Sequence, residues 1–199
     1  MSKNVWLIGS SSDFSKSIVT QFSDYNVTLF GRSNVDYSDF DLFIKDKTPP
    51  DIVIFNANVT EQVSITITDY TFDNKEMITS LENFNDVYCF LIKLLKWLEL
   101  SNEKIKFCLI TSSITQWPFK YKHNISYAIL RSMEQTALMS CATDNLKVIG
   151  ISPSGVTQDL FEQYAIEIRK KAEDSDTMKI YDLYNNTSEV LDLKRFDNE

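Results

Sequence analysis

The chain has 199 residues, of which 43% are hydrophobic and 24% charged, and it carries a formal net charge of −8. That length suits one domain with a substantial core, and the negative balance argues against nonspecific binding to nucleic acid or to an anionic membrane, either of which would repel it. No apolar run approaches membrane-spanning length.

The N-terminus lacks the basic stretch followed by an apolar one that marks export. The three cysteines, Cys89, Cys108 and Cys141, lie far apart without metal-ligand spacing. Reduced thiols, no metal and a cytoplasmic location are therefore expected.

In chain order, Val5 to Ile8 is an apolar run with β-branched ends, the pattern of a strand buried on both faces. Gly9 breaks it, three serines follow, and from Asp13 onward Phe14, Ile18, Val19 and Phe22 fall at helical spacing. A strand that turns sharply into a helix aims backbone N–H groups and the positive end of the helix dipole at one spot, which suits a phosphate. With a single glycine, the turn taken alone is equally a plain strand-to-helix connection. Val27 to Phe30 reads as a second strand ended by Gly31-Arg32-Ser33, and Asn34 to Asp39 as a short third one. The stretch from Asp39 to Pro50 is too short for a full crossover helix. Asp51 to Phe55 is a buried strand stopped by Asn56-Ala57-Asn58, and residues 59–75 read as loop with a hairpin at Val63 to Thr68.

Glu76 to Leu100 carries Phe84, Val87, Tyr88, Leu91, Leu94, Leu95 and Leu98 on one helical face. Lys104 to Thr111 is the next strand, followed by Ser112-Ser113. The loop 114–125 holds Trp117-Pro118-Phe119, which either lines a pocket or covers a sheet edge, and His123, which receives no role. A second long helix is expected from Ser126 to Thr143, a strand from Lys147 to Ser152 stopped by Pro153-Ser154-Gly155, a helix from Phe161 to Glu173, and a last strand from Ser188 to Leu193. Strands alternating with helices define a single-domain, doubly wound parallel α/β sheet with helices on both faces and ligands at the strands' carboxyl ends. Loops 59–75, 114–125 and 157–180 are then the substrate loops.

Taken together, these strand ends resemble the short-chain dehydrogenase/reductase family, whose fold is a Rossmann-like NAD(P)-binding domain. The family's turn Gly-x-x-x-Gly-x-Gly falls on Gly9, Asp13 and Ser15, keeping the first glycine only. The resemblance implies cofactor contacts from this turn, at Gly9, Ser11, Ser12, Asp13 and Phe14. It also implies contacts from Asp36 against the adenine, from Asn56, Ala57 and Asn58 after the strand at 51–55, and from Pro153 and Thr157. The implied catalytic set is Ser113 (Ser112 if the register slips), Tyr127 of a Tyr-x-x-x-Lys pair whose second member is Arg131, and Asn83 as structural and proton-relay residue. Arg131 would also hold the cofactor.

What the resemblance implies chemically is hydride transfer to or from a small carbonyl or alcohol, with Tyr127 as general acid and Ser113 steadying the oxyanion. Where an acidic residue would select NAD, this chain has Gly31 followed by Arg32 and Ser33, so NADP (NADPH) is expected in preference to NAD. The competing expectation is a catalytically impaired member that binds a nucleotide or a protein partner. The two long helices are expected to build a homo-oligomer, a dimer or tetramer.

Overall fold

The buried apolar runs become the middle of one sheet. A computed structural model of the chain describes residues 2–57, 74–111, 132, 135–153, 156–174, 176–184 and 187–192. Its strands are β1 (Asn4–Ile8), β2 (Asn26–Phe30), β3 (Ile52–Phe55), β4 (Ile105–Ile110), β5 (Leu146–Pro153), β6 (Lys179–Tyr184) and β7 (Thr187–Asp192). Their order is β2-β1-β3-β4-β5-β6-β7. The first six are parallel, with Ile8 opposite Phe30 and Phe55, and β7 runs antiparallel to β6. The helices are α1 (Asp13–Gln21), α2 (Phe40–Ile44), α3 (Asn74–Leu100), α4 (residues 135–141) and α5 (Phe161–Glu173). Among the described residues no helix is long and apolar enough to cross a membrane.

Side chains of a strand alternate between faces, so each strand feeds two cores. On one face Trp6, Ile8, Phe55, Phe107 and Val148 meet α2, α3 and α4 through Phe43, Phe90, Leu94 and Leu138. Trp6 stacks on Trp97 of α3 at 5.8 Å. On the other face Val5, Leu7, Ile54, Cys108 and Ile151 meet α1 and α5 through Phe14, Ile18, Phe22, Tyr164 and Ile168. Arg169 of α5 ties the two helices at the far end of the sheet from the strands' carboxyl ends. Its guanidinium grips the Asp24 carboxylate at 2.8 and 2.9 Å and lies 5.6 Å from the Phe22 ring. The cysteines are unpaired, and burial pushes the Cys108 thiol up to about 12, which keeps it protonated and inert.

Three expectations are corrected. Asn34 to Asp39 forms no strand: Asn34 Oδ1 accepts the Gly31 N–H at 2.7 Å, and Val35 N–H closes a turn onto the Gly31 carbonyl at 2.9 Å. With that strand gone, β2 is the sheet edge, where Asn34 Nδ2 donates to the Leu29 carbonyl at 3.0 Å. Residues 157–180, apart from the helix expected at Phe161–Glu173 and found there as α5, are not all loop, since they also contain a 3₁₀ turn (Gln158–Leu160) and the start of β6. The tail carries two strands rather than one. The hairpin at Val63 to Thr68, the loop 114–125 and the start of the helix at Ser126 lie outside the described residues.

Candidate functional site

The turn after β1 is held by two neighbouring strand ends. Gly9 and Ser10 donate their N–H groups to the same carbonyl, that of Phe30, at 2.7 and 3.0 Å. Gly9 has φ +89°, and a Cβ built there would lie 2.4 Å from the Asn56 carbonyl carbon and 2.5 Å from the Ala57 nitrogen. Glycine is thus required twice over, for its conformation and for the backbone approach of β3. Ser12 then caps α1, its Oγ accepting the Ser15 N–H at 3.1 Å. The buried Ser15 hydroxyl reaches the Gly9 carbonyl at 2.8 Å and Asn56 Nδ2 at 3.0 Å. The N–H groups of Ser11, Ser12, Asp13 and Phe14 donate to no acceptor among the described residues. They present a helix N-terminus suited to an anion. The Asp13 carboxylate, at the family's second glycine, instead pairs with Lys16 at 2.6 Å on the exposed side of α1, which holds its carboxyl below the usual range.

This turn forms one wall of a cavity of about 460 Å³ at the strands' carboxyl ends, to which Gly9, Ser11, Ser12 and Phe14 contribute. Arg32 and Tyr37 border it after β2, and Asn56 and Ala57 after β3. The opposite wall is Val87 of α3, Ile110 at the end of β4 with Thr111 just after it, and Pro153 and Val156 at the end of β5 and its exit. Eight of the residues expected to touch a cofactor therefore converge on one space. Asp13, Ser33 and Thr157 do not line it. Asp36, expected against the adenine, does not line it either: its carboxylate accepts from Ser38 N–H and Oγ at 2.9 and 2.6 Å, and these bonds hold its carboxyl low. The neighbouring Tyr37 takes the wall position. It is half-buried, packs edge-on against Phe90 at 5.0 Å, and its phenol is raised by burial against the opposing pull of Arg32. The expected residues Asn58, Ser113, Tyr127 and Arg131 lie outside the described residues, as does the side chain of Asn83, whose backbone is part of α3.

A second polar feature adjoins the cavity. Thr111 Oγ1 and Ser152 Oγ share a hydrogen bond of 2.7 Å, and Ser152 is opposite Asp182 in the β5–β6 register. All three are buried, Asp182 to 1% exposure. Period-two alternation puts Asp182 on the same face as Ile180, toward α3 and α4. An aromatic in a polar stretch (Tyr37) and an acid inside a short apolar run (Asp182) are the sequence signals that would have pointed to these positions.

No family model and no curated protein matches the chain by sequence. Solved structures do. A short-chain dehydrogenase from Streptomyces avermitilis is 16% identical, covering 92% of this chain and 89% of its own, with a TM-score of 0.66. A short-chain dehydrogenase from Burkholderia cenocepacia in complex with NADP is 10% identical over 92% and 89%, TM-score 0.63. A short-chain dehydrogenase/reductase from Vibrio parahaemolyticus is 15% identical over 83% and 91%, TM-score 0.61. The chain has the α/β fold of the short-chain dehydrogenases/reductases.

Proposed function

We propose that the protein is an NADP-dependent oxidoreductase that moves a hydride to or from a small carbonyl or alcohol. The observation that carries this reading is the cavity at the strands' carboxyl ends, which joins the α1 N-terminus and Arg32 on one side to the ends of β4 and β5 on the other. The residues present fit a dinucleotide: the Ser11–Phe14 N–H groups suit a pyrophosphate, and the Arg32 guanidinium suits a 2′-phosphate. The NADP in the Burkholderia structure supports the same class of ligand. When bound, the nicotinamide supplies the hydride. Tyr127 donates the proton to the carbonyl oxygen, Ser113 hydrogen-bonds that oxygen, and Arg131 favours the phenolate of Tyr127 by its charge.

Arg32 sets the cofactor preference in this reading. Arg32→Ala should raise the Kd for NADPH about 10- to 150-fold, the equivalent of about 1.5 to 3 kcal/mol for a charge-assisted contact, and leave NADH nearly unchanged. Calorimetric titration of the parent with both dinucleotides tests it, and equal affinities would end the NADP assignment. A binding module without turnover is the second reading, favoured by Arg131 where the family has lysine. Tight dinucleotide binding with no oxidation of NADPH on any aldehyde, ketone or quinone selects that reading.

A further inference from the structure

The turn departs from the family pattern at Ser15, where the pattern has its third glycine, and the serine is built into a closed hydrogen-bond network. Ser15 is fully buried. Its Oγ–H donates to the Gly9 carbonyl at 2.8 Å, which uses its one proton. In the 2.9 Å contact between the two hydroxyls Ser12 is therefore the donor, while Ser12 Oγ accepts the Ser15 N–H. Asn56 Nδ2 gives the second bond to Ser15 Oγ at 3.0 Å. A hydroxyl oxygen has two acceptor positions, so Ser15 Oγ is complete, and only a donor can face it.

That completeness decides the orientation of the Asn56 carboxamide. Turned over, the amide would set Oδ1 against an oxygen with no proton left to give, a buried contact between two acceptors. The network thus holds Nδ2 toward Ser15 and leaves Oδ1 at the other end of a side chain that borders the cavity. Among the described residues Oδ1 has no donor. A carboxamide oxygen takes a hydroxyl and repels a phosphate, so its partner differs in kind from the anion that suits the α1 N-terminus.

We propose that Ser15 is a positioning residue of the nucleotide site, fixing the Asn56 carboxamide so that Oδ1 accepts a hydrogen bond from a sugar hydroxyl of the bound dinucleotide. The inference rests on the dinucleotide reading above and adds to it a role that glycine at this position cannot perform. Restoring the family's glycine therefore weakens binding instead of improving it.

The test is calorimetric titration of NADPH into the parent, Ser15→Gly, Ser15→Ala, Asn56→Ala and the Ser15→Ala/Asn56→Ala double variant, each with a melting curve. Each single change should raise Kd about tenfold, the size of one neutral hydrogen bond. Because Ser15 acts through Asn56, the double variant should also lose about tenfold and not about a hundredfold. A purely structural role for Ser15 would lower the melting temperature without this shared loss of affinity. Kd within twofold of the parent for Ser15→Ala, or multiplicative losses in the double variant, overturns the proposal. If the Ser15 variants do not fold, Asn56→Asp carries the test, since it forces an oxygen against Ser15 Oγ. It should weaken NADPH at least as much as Asn56→Ala does, and an unchanged Kd overturns the proposal. A parent that binds neither dinucleotide overturns the nucleotide reading itself, an outcome distinct from a parent that binds and ignores Ser15.

Discussion

Tyr127→Phe should abolish turnover while leaving NADPH binding within about twofold. Removing a positioned general acid commonly costs on the order of 10² to 10⁴ in rate, and no second phenol or imidazole is assigned to replace it. Arg131 tests the same assignment from the other side. Moving a phenol from about 10 to about 7 requires roughly 4 kcal/mol. A unit charge about 4 Å away at an effective dielectric near 20 supplies about that much. Arginine can therefore do the electrostatic work of the family's lysine, although its guanidinium is larger, planar and longer in reach. In an enzyme adapted to arginine, Arg131→Lys keeps part of the activity; in a decayed one it raises activity from a low baseline. Assays of the three proteins with NADPH and a panel of aldehydes, ketones and quinones distinguish these outcomes. Parent activity that survives Tyr127→Phe unchanged would remove Tyr127 from the mechanism.

The largest effect on stability is expected at Gly9. Gly9→Ala meets two independent penalties: a left-handed backbone at φ +89°, and a methyl group 2.4 to 2.5 Å from the Asn56 and Ala57 backbone. The first costs about 1 to 3 kcal/mol. The second is not relieved by a rotamer change, because the obstructing atoms belong to the end of a central strand. A total of about 3 kcal/mol or more corresponds to a fall in melting temperature of roughly 6 to 12 °C for a chain of this size. Because the shift separates two walls of the cavity, NADPH affinity should fall more than tenfold with it. Gly31→Ala is the internal control. Its new methyl group would crowd Ser11 Oγ at 2.9 Å and Ser10 Oγ at 3.0 Å, serine hydroxyls that can rotate away, while the nearest backbone atom, Ser11 N, lies at an ordinary 3.9 Å. Its cost should stay below about 1 kcal/mol. Equal melting temperatures for Gly9→Ala and the parent would show that the turn is not held as described.

The parts of the fold legible in the sequence were those with one dominant pattern. Val5 to Ile8 and Asp51 to Phe55 are unbroken apolar runs, and both became central strands; the 3.6-residue period of α5 marked its limits at Phe161 and Glu173. β6 was not legible, because Lys179 and Asp182 interrupt its apolar residues; the buried Asp182 stands opposite Ser152 of β5, whose hydroxyl is bonded to that of Thr111. The stretch Asn34 to Asp39 misled for the opposite reason. Val35 and Tyr37 alternate with polar residues as in a strand, yet Asn34 and Asp36 satisfy nearby backbone N–H groups with their side chains and favour turns. At the site, strand ends with glycine and asparagine could be read locally. The bond between Asn56 and Ser15 joins residues 41 apart, and no local pattern reports it.

The pairing of α1 with α5 has a consequence for the chain as it leaves the ribosome. β1, β2 and β3 adjoin one another in the sheet and are complete by Phe55, so the first quarter of the chain can assemble its own strands early. The core that Phe14, Ile18 and Phe22 begin over Val5, Leu7 and Ile54 is completed by Tyr164, Ala165 and Ile168 of α5. Those residues emerge about 140 positions later, which at ordinary elongation rates is about 7 to 28 s. During that interval α1 lies over β1 and β3 without its α5 neighbour, so the core on that face of the sheet is half-built and its apolar side chains only partly covered. Closure comes when Arg169 arrives to grip Asp24, so a chain cut short before α5 would keep that core incomplete.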